Sequence, residues 1–183
     1  MSPTEAPPEA APTTLVLVGN PNVGKSTLFN RLTGLRQKVA NYAGVTVDAR
    51  EGELFSDEET PWRVLDLPGT YSLTPTSYDE EIVELALRGG LEGVPAPDTI
   101  LVVVDAGNLR RNLYLLSEIT DLGRPVVVAL NMVDEARRGG VTLPTELLRE
   151  QLGIPVVETV ASTGEGIKEL REALKGEVAP ARG

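Results

Sequence analysis

Short apolar runs alternate with helix-spaced stretches from residue 15 onward, and the alternation predicts the fold. Residues 15–18 (LVLV), 99–106 (TILVVVDA) and 125–130 (PVVVAL) are continuous and mostly β-branched. Runs of that length without polar alternation fit strands covered on both faces, as in a parallel sheet. Between the last two, Leu109, Leu113, Leu116, Ile119 and Thr120 recur at helical spacing within residues 109–122, the crossover that parallel neighbours need. Residues 47–55 and 62–67 read as a strand pair around the polar turn 56–61. Residues 27–32 belong to a first helix stopped by Thr33-Gly34. Leu147, Leu148 and Leu152 mark another helix, 154–160 a last strand, and 167–174 a closing helix with Ile167, Leu170 and Leu174 on one side. Residues 35–46 have no period and are expected to form a mobile loop. The order is that of an α/β domain: an open, mostly parallel sheet with its ligand at the carboxyl ends of the strands.

Composition narrows the chemistry. In 183 residues, aromatics are only 4%, so the core is expected from Val, Leu and Ile. Acidic residues outnumber basic ones 27 to 17, a formal charge of −10 that disfavours nucleic acid and anionic lipid as partners. There is no cysteine, hence no disulfide or thiolate metal site, and no histidine, so a general base has to be a carboxylate, water or the substrate phosphate. No apolar run is long enough to insert in a membrane. Residues 1–13 are expected to be a disordered tail rather than a secretion signal, residues 14–176 a single domain, and residues 177–183 a flexible end.

Residues 19–26 read GNPNVGKS between a strand and a helix, the spacing of a phosphate loop. Gly19 and Gly24 let the main chain wrap a triphosphate, with the amides of Asn20, Pro21's neighbours, Asn22 and Val23 facing it and a helix dipole behind. Lys25 is placed to reach the β- and γ-phosphates, Ser26 to offer its hydroxyl to Mg²⁺, and Thr27 to complete the cradle. Asp66-Leu67-Pro68-Gly69 ends the next strand. Asp66 is expected to hold Mg²⁺ through water, and the Gly69 amide to reach the γ-phosphate. Asn131-Met132-Val133-Asp134 follows another strand, where a carboxylate at 134 pairs with guanine N1–H and its 2-amino group and rejects adenine. Val160-Ala161-Ser162 closes the base pocket, the Ala161 amide facing guanine O6. Thr46 is the hydroxyl suited to close over Mg²⁺ and the γ-phosphate. Ser77-Tyr78-Asp79-Glu80 has the spacing of a helix capping box; Glu80 and Glu81 are read as first-turn acids, with a general-base role as the lesser option.

These segments together resemble the translation-factor-related GTPases. Residues 104–115 (VDAGNLRRNLYL), 41–47 (NYAGVTV) and 66–73 (DLPGTYSL) resemble the intracellular G domain of the ferrous iron transport protein B family, over about residues 14 to 176. The resemblance implies a Ras-like domain that binds GTP and GDP with Mg²⁺, hydrolyses GTP slowly, and governs an Fe²⁺ permease from the cytoplasmic face of the inner membrane. It implies that Asn22 helps hold K⁺, which stands in for an arginine finger. It also implies a helical regulatory domain and a membrane permease domain, neither encoded here, and admits a nucleotide-dependent oligomer. Met132 replaces the lysine that many relatives place against the guanine ring, and Thr70 stands where Ras-like enzymes carry a water-orienting glutamine. Two alternatives stay open: a nucleotide-sensing module with incidental hydrolysis, and a ribosome- or tRNA-associated GTPase.

Overall fold

The computed structural model describes residues 11–34, 37–40, 42, 49–55 and 61–181. The elements run β1 (Thr14–Gly19), α1 (Lys25–Thr33), β2 (Gln37–Ala40), β3 (Ala49–Leu54), β4 (Trp62–Asp66), α2 (Tyr78–Arg88), β5 (Thr99–Asp105), a 3₁₀ turn (Ala106–Asn108), α3 (Leu109–Thr120), β6 (Val126–Asn131), α4 (Val133–Arg138), α5 (Thr145–Leu152), β7 (Val156–Glu158) and α6 (Ile167–Lys175). The strands form one sheet in the order β2-β3-β4-β1-β5-β6-β7. β1 pairs in parallel with β4 and β5, and β5 to β7 continue in parallel. β2, β3 and β4 are antiparallel, as the short turn between β3 and β4 requires.

The unbroken apolar runs are explained by burial on both faces. Along β1, Val16 and Val18 pack with Ile82, Val83, Leu115 and Leu116 of α2 and α3. Leu15 and Leu17 face the other way, against Leu28 and Phe29 of α1 and Leu170 and Leu174 of α6. Two hydrophobic layers thus clamp the sheet and hold the carboxyl ends of β1, β4 and β6 in fixed relation. α2 begins at the expected cap: the Glu80 amide donates to Ser77 Oγ at 3.3 Å, and Gly89 ends the helix with φ 79°.

The sequence expectations need correction in four places. Residues 37–40, taken as patternless loop, form β2, whose register sets Gln37 opposite Gly52. It is an edge strand with two exposed positions, so it shows no apolar signature. Residues 133–138 form α4, whose six residues bury only Val133 and Ala136, too few to show a period. The last strand is shorter than 154–160. Finally, the segment from residue 177 is not simply frayed: Pro180 bridges Pro125, and Val178 and Ala181 pack against the two cores. The expected tail at residues 1–10 and the loop residues 43–48 lie outside the described residues, and Thr46 with them.

Candidate nucleotide-binding site

The loop between β1 and α1 owes its shape to residues that tolerate close approach. A Cβ at Gly19 would lie 2.6 Å from the Val103 carbonyl oxygen. Gly24 has φ 82°, and a Cβ there would meet Asn131 Nδ2 at 2.3 Å. Asn22 also takes a left-handed conformation, φ 64°, which Asn accepts better than most residues. Val23 is buried in the core and pins the loop, while Pro21 and Asn22 stand exposed above it. α1 follows with no acid in its first turn, so nothing opposes an anion at its positive end; Ser26 and Thr27 are exposed there.

Lys25 turns across the loop. Its ammonium forms an ion pair with Asp66 Oδ1 and donates to the Leu67 carbonyl at 2.5 Å. Asp66 is 4% exposed, and its other oxygen lies 3.4 Å from Arg50 Nη2. Lys25, Ser26, Val39, Ala49, Arg50 and residues 66–69 line a cavity of about 430 Å³. Gly69 lies against Pro21, and the Thr70 amide donates to the Gly19 carbonyl at 3.0 Å, which docks the segment after β4 onto the phosphate loop. Thr70, in the place of the water-orienting glutamine, is buried, and its hydroxyl donates to the Ser72 carbonyl at 2.7 Å. Glu80 is committed as well. Hydrogen bonds from the Thr76 amide (2.8 Å) and hydroxyl (2.7 Å) hold its carboxyl below the usual range, which suits a cap and weakens it as a base.

The donor set suits Mg²⁺. Ser26 and Asp66 offer hard oxygens to one cavity, and no cluster of three or more metal-binding side chains occurs among the described residues. Mg²⁺ is commonly held by one or two such groups together with phosphate and water. Asn22, the residue assigned to K⁺, faces a neighbouring cavity of about 250 Å³ with Asn20, Tyr71, Asp105 and Arg111. Asn20 is 3% exposed, and neither side-chain polar atom finds a partner within the protein.

The base-side residues converge from three elements. Asn131, at the end of β6, donates from Nδ2 to the Val23 carbonyl at 2.9 Å. Its Oδ1 accepts from Thr159 Oγ1 (3.1 Å) and from the Ala161 amide (3.0 Å). One buried carboxamide therefore ties the phosphate loop to the loop after β7. The Ala161 amide, expected to face guanine O6, is directed at Asn131 in this arrangement. Met132 turns the chain with φ 62° into α4, whose first turn carries Asp134. That carboxylate is 39% exposed and accepts from Arg138 Nη2 at 3.0 Å. Val160 and Ala161 are buried and Ser162 exposed. Arg31 of α1 fastens this loop from below, donating to the carbonyls of Ala161 (2.9 Å) and Ser162 (2.5 Å).

The structure thus brings the phosphate-loop residues, Asp66, Gly69, Asn131 and Ala161 together, while Asp134 stands on α4 paired with Arg138. Arg31, Arg50 and Thr159 were missed. A hairpin centred on the turn 56–61 points residue 50 at residue 67, one position from its observed partner Asp66, so the hint the sequence held about Arg50 misses by one residue. Arg31 and Thr159 carried no such signal.

A phosphate loop after β1, DLPG after β4 and NMVD after β6, on this sheet order, define a G domain of the Ras-like class. The profile of the family described as ferrous iron transport protein B matches residues 13–174, and the chain belongs to that family. The Fe(2+) transporter FeoB of Escherichia coli K12 is 46% identical over 165 residues, covering 88% of this chain and 21% of that protein. The FeoA/FeoB fusion protein of Porphyromonas gingivalis is 48% identical over 160 residues, 87% of this chain and 18% of that one. The chain therefore spans about a fifth of these relatives. Among solved structures, the cytosolic domain of L. pneumophila FeoB superposes with a TM-score of 0.82 at 42% identity, covering 93% of this chain and 66% of that one. The G domain of Methanococcus jannaschii FeoB gives 0.74 at 38% identity over 90% and 96% of the two chains. An S. thermophilus NFeoB variant bound to GDP gives 0.78 at 38% identity, with 88% and 61% covered.

Proposed function

We propose that this chain binds GTP and GDP and hydrolyses GTP slowly, and that its nucleotide state controls an Fe²⁺ permease domain. The observation that carries this reading is the Asn131 clasp, which joins the Val23 carbonyl of the loop after β1 to the Ala161 amide of the loop after β7 and so supports one site spanning both. The GDP held by the S. thermophilus relative supports the same reading. The G domain runs over about residues 14–176.

Phosphate enters the cradle of residues 19–27, and Lys25 exchanges Asp66 and the Leu67 carbonyl for β- and γ-phosphate oxygens. Ser26, Asp66 and Thr46 are the residues that hold Mg²⁺, which when bound neutralises charge shared by those oxygens. Asn22 does the same for K⁺. Asp134 releases Arg138 and pairs with the guanine edge, Met132 covering the ring, while Val160, Ala161 and Ser162 line the pocket. Water attacks the γ-phosphate in line, oriented by loop backbone and Thr46. Turnover is expected on the order of 10⁻⁴ to 10⁻² s⁻¹ without an arginine supplied in trans. Gly69 and Thr46 sense the γ-phosphate, and the segments carrying them move when it is lost.

Titration of the purified chain with labelled GTP, GDP and ATP, in potassium and in sodium buffers, tests this reading. Both guanine nucleotides are expected to bind, with ATP weaker by roughly 10⁴-fold. Potassium is expected to speed hydrolysis, and Asn22→Ala to remove the difference between the two salts. Equal affinity for ATP and GTP refutes the base assignment; equal rates in both salts refute the cation role.

A further inference from the structure

Asp66 carries a different cation on each oxygen. Lys25 holds Oδ1, and Arg50 lies 3.4 Å from Oδ2. The Arg50 guanidinium stands 5.4 Å from the centre of the Phe29 ring, and its Nη1 is 3.5 Å from Asn30 Oδ1. The β3–β4 register sets Arg50 directly opposite Asp66, and both line the cavity shared with Lys25, Ser26 and Gly69. Strand pairing does not need this contact. β3 and β4 are also joined through Glu51 and Arg63 at 2.9 Å and through the edge-on rings of Phe55, just past β3, and Trp62, which opens β4. Glu51, next along β3, pairs with Arg63 and Lys38, whereas Arg50 turns its charge to the cavity that Lys25 and Asp66 line.

We propose that Arg50 is a positioning residue for the metal site: it competes with Mg²⁺ for the Asp66 carboxylate and sets the Mg²⁺ concentration at which diphosphate nucleotide is retained. The inference rests on the assignment of Asp66 and Ser26 to Mg²⁺. Two physical consequences give Arg50 this role. When Lys25 leaves Asp66 for phosphate, Arg50 stays, and no buried carboxylate is left without a counter-charge. A divalent ion approaching Asp66 then meets a fixed positive charge and has to displace or share its partner. Arg50 therefore eases the exchange of Lys25 and weakens the hold on Mg²⁺.

The test is the release rate of fluorescent GDP from the full chain as free Mg²⁺ is raised from an EDTA-treated start. Arg50→Gln is expected to lower the Mg²⁺ midpoint for slowed release about fivefold, the size of one partly screened ion pair. Arg50→Met, which keeps an apolar stem against Phe29, is expected to give the same shift, and Arg50→Lys to stay within about twofold of the native chain. Thermal unfolding in EDTA identifies any variant that fails to fold, and the other neutral variant then carries the test. An unchanged or raised midpoint in the folded neutral variant overturns the proposal, as does Arg50→Lys behaving like Arg50→Gln. A tenfold loss of GDP affinity in EDTA for Arg50→Gln also overturns it, by assigning the guanidinium to phosphate. If release from the native chain ignores Mg²⁺ altogether, the metal assignment of Asp66 falls, and this proposal with it.

Discussion

The two ends of the site are held together by different forces. At the end proposed for phosphate, Lys25, Asp66 and Arg50 form a charged cluster whose partners change under the proposed binding of phosphate and Mg²⁺. At the base end, Asn131, Thr159 and Ala161 form a neutral, buried network in which each Asn131 side-chain atom is already satisfied. Charges pair strongly with a ligand because they pair strongly with each other beforehand, so that end is built to exchange. A buried carboxamide that already holds three partners resists moving. Among the described residues the two regions are joined by the bond from Asn131 to the Val23 carbonyl and, through α1, by Arg31.

Substitutions can break this contrast from either side. The largest effect is expected from Lys25→Ala, which removes two charge-assisted contacts to phosphate. GTP affinity should fall by at least about 100-fold in calorimetric titration, and unchanged affinity would take Lys25 out of the site. Next is Asn131→Ala, which leaves the Val23 carbonyl, the Thr159 hydroxyl and the Ala161 amide unpaired in a buried setting. Urea unfolding without nucleotide should show a loss of about 3 kcal/mol. A loss below about 1 kcal/mol would mean that the base end is not the anchor.

Asp134→Asn sharpens the comparison, because it changes ligand choice while leaving the clasp intact. GTP is expected to weaken by about 10- to 100-fold while xanthosine triphosphate gains in competition binding, and stability should stay within about 0.5 kcal/mol because this acid is partly exposed. The smallest effect is expected from Arg31→Met, which unfastens the loop after β7 from α1 and should cost about 1 kcal/mol by the same urea measurement. If Arg31→Met costs more than Asn131→Ala, the anchor runs through α1 rather than through β6.

Much of this was legible along the chain, for local reasons. The phosphate loop, DLPG and NMVD are short segments whose glycines, lysine and carboxylates act through backbone conformation and charge at fixed spacing. The central strands announced themselves because burial on both faces leaves no room for polar positions, as in residues 100–104 of β5. The edge strand β2 and the six-residue α4 were silent because each buries too few side chains to print a pattern. Arg31 and Thr159 were invisible, and Arg50 was hinted at one residue out of register, for another reason. Their partners are 130, 28 and 16 residues away, and only the folded sheet makes them neighbours.

By itself, the chain determined the parallel core and the nucleotide-binding motifs of a G domain, because those depend on nearest neighbours in sequence and on periodic burial. Tertiary structure decided how those residues are engaged. It made Asn131 a buried clasp between two loops, fastened the loop after β7 to Arg31 of α1, and set Arg50 beside Asp66. Long-range contacts assign each polar group its partner, and a group's partner governs whether it is free to meet a ligand.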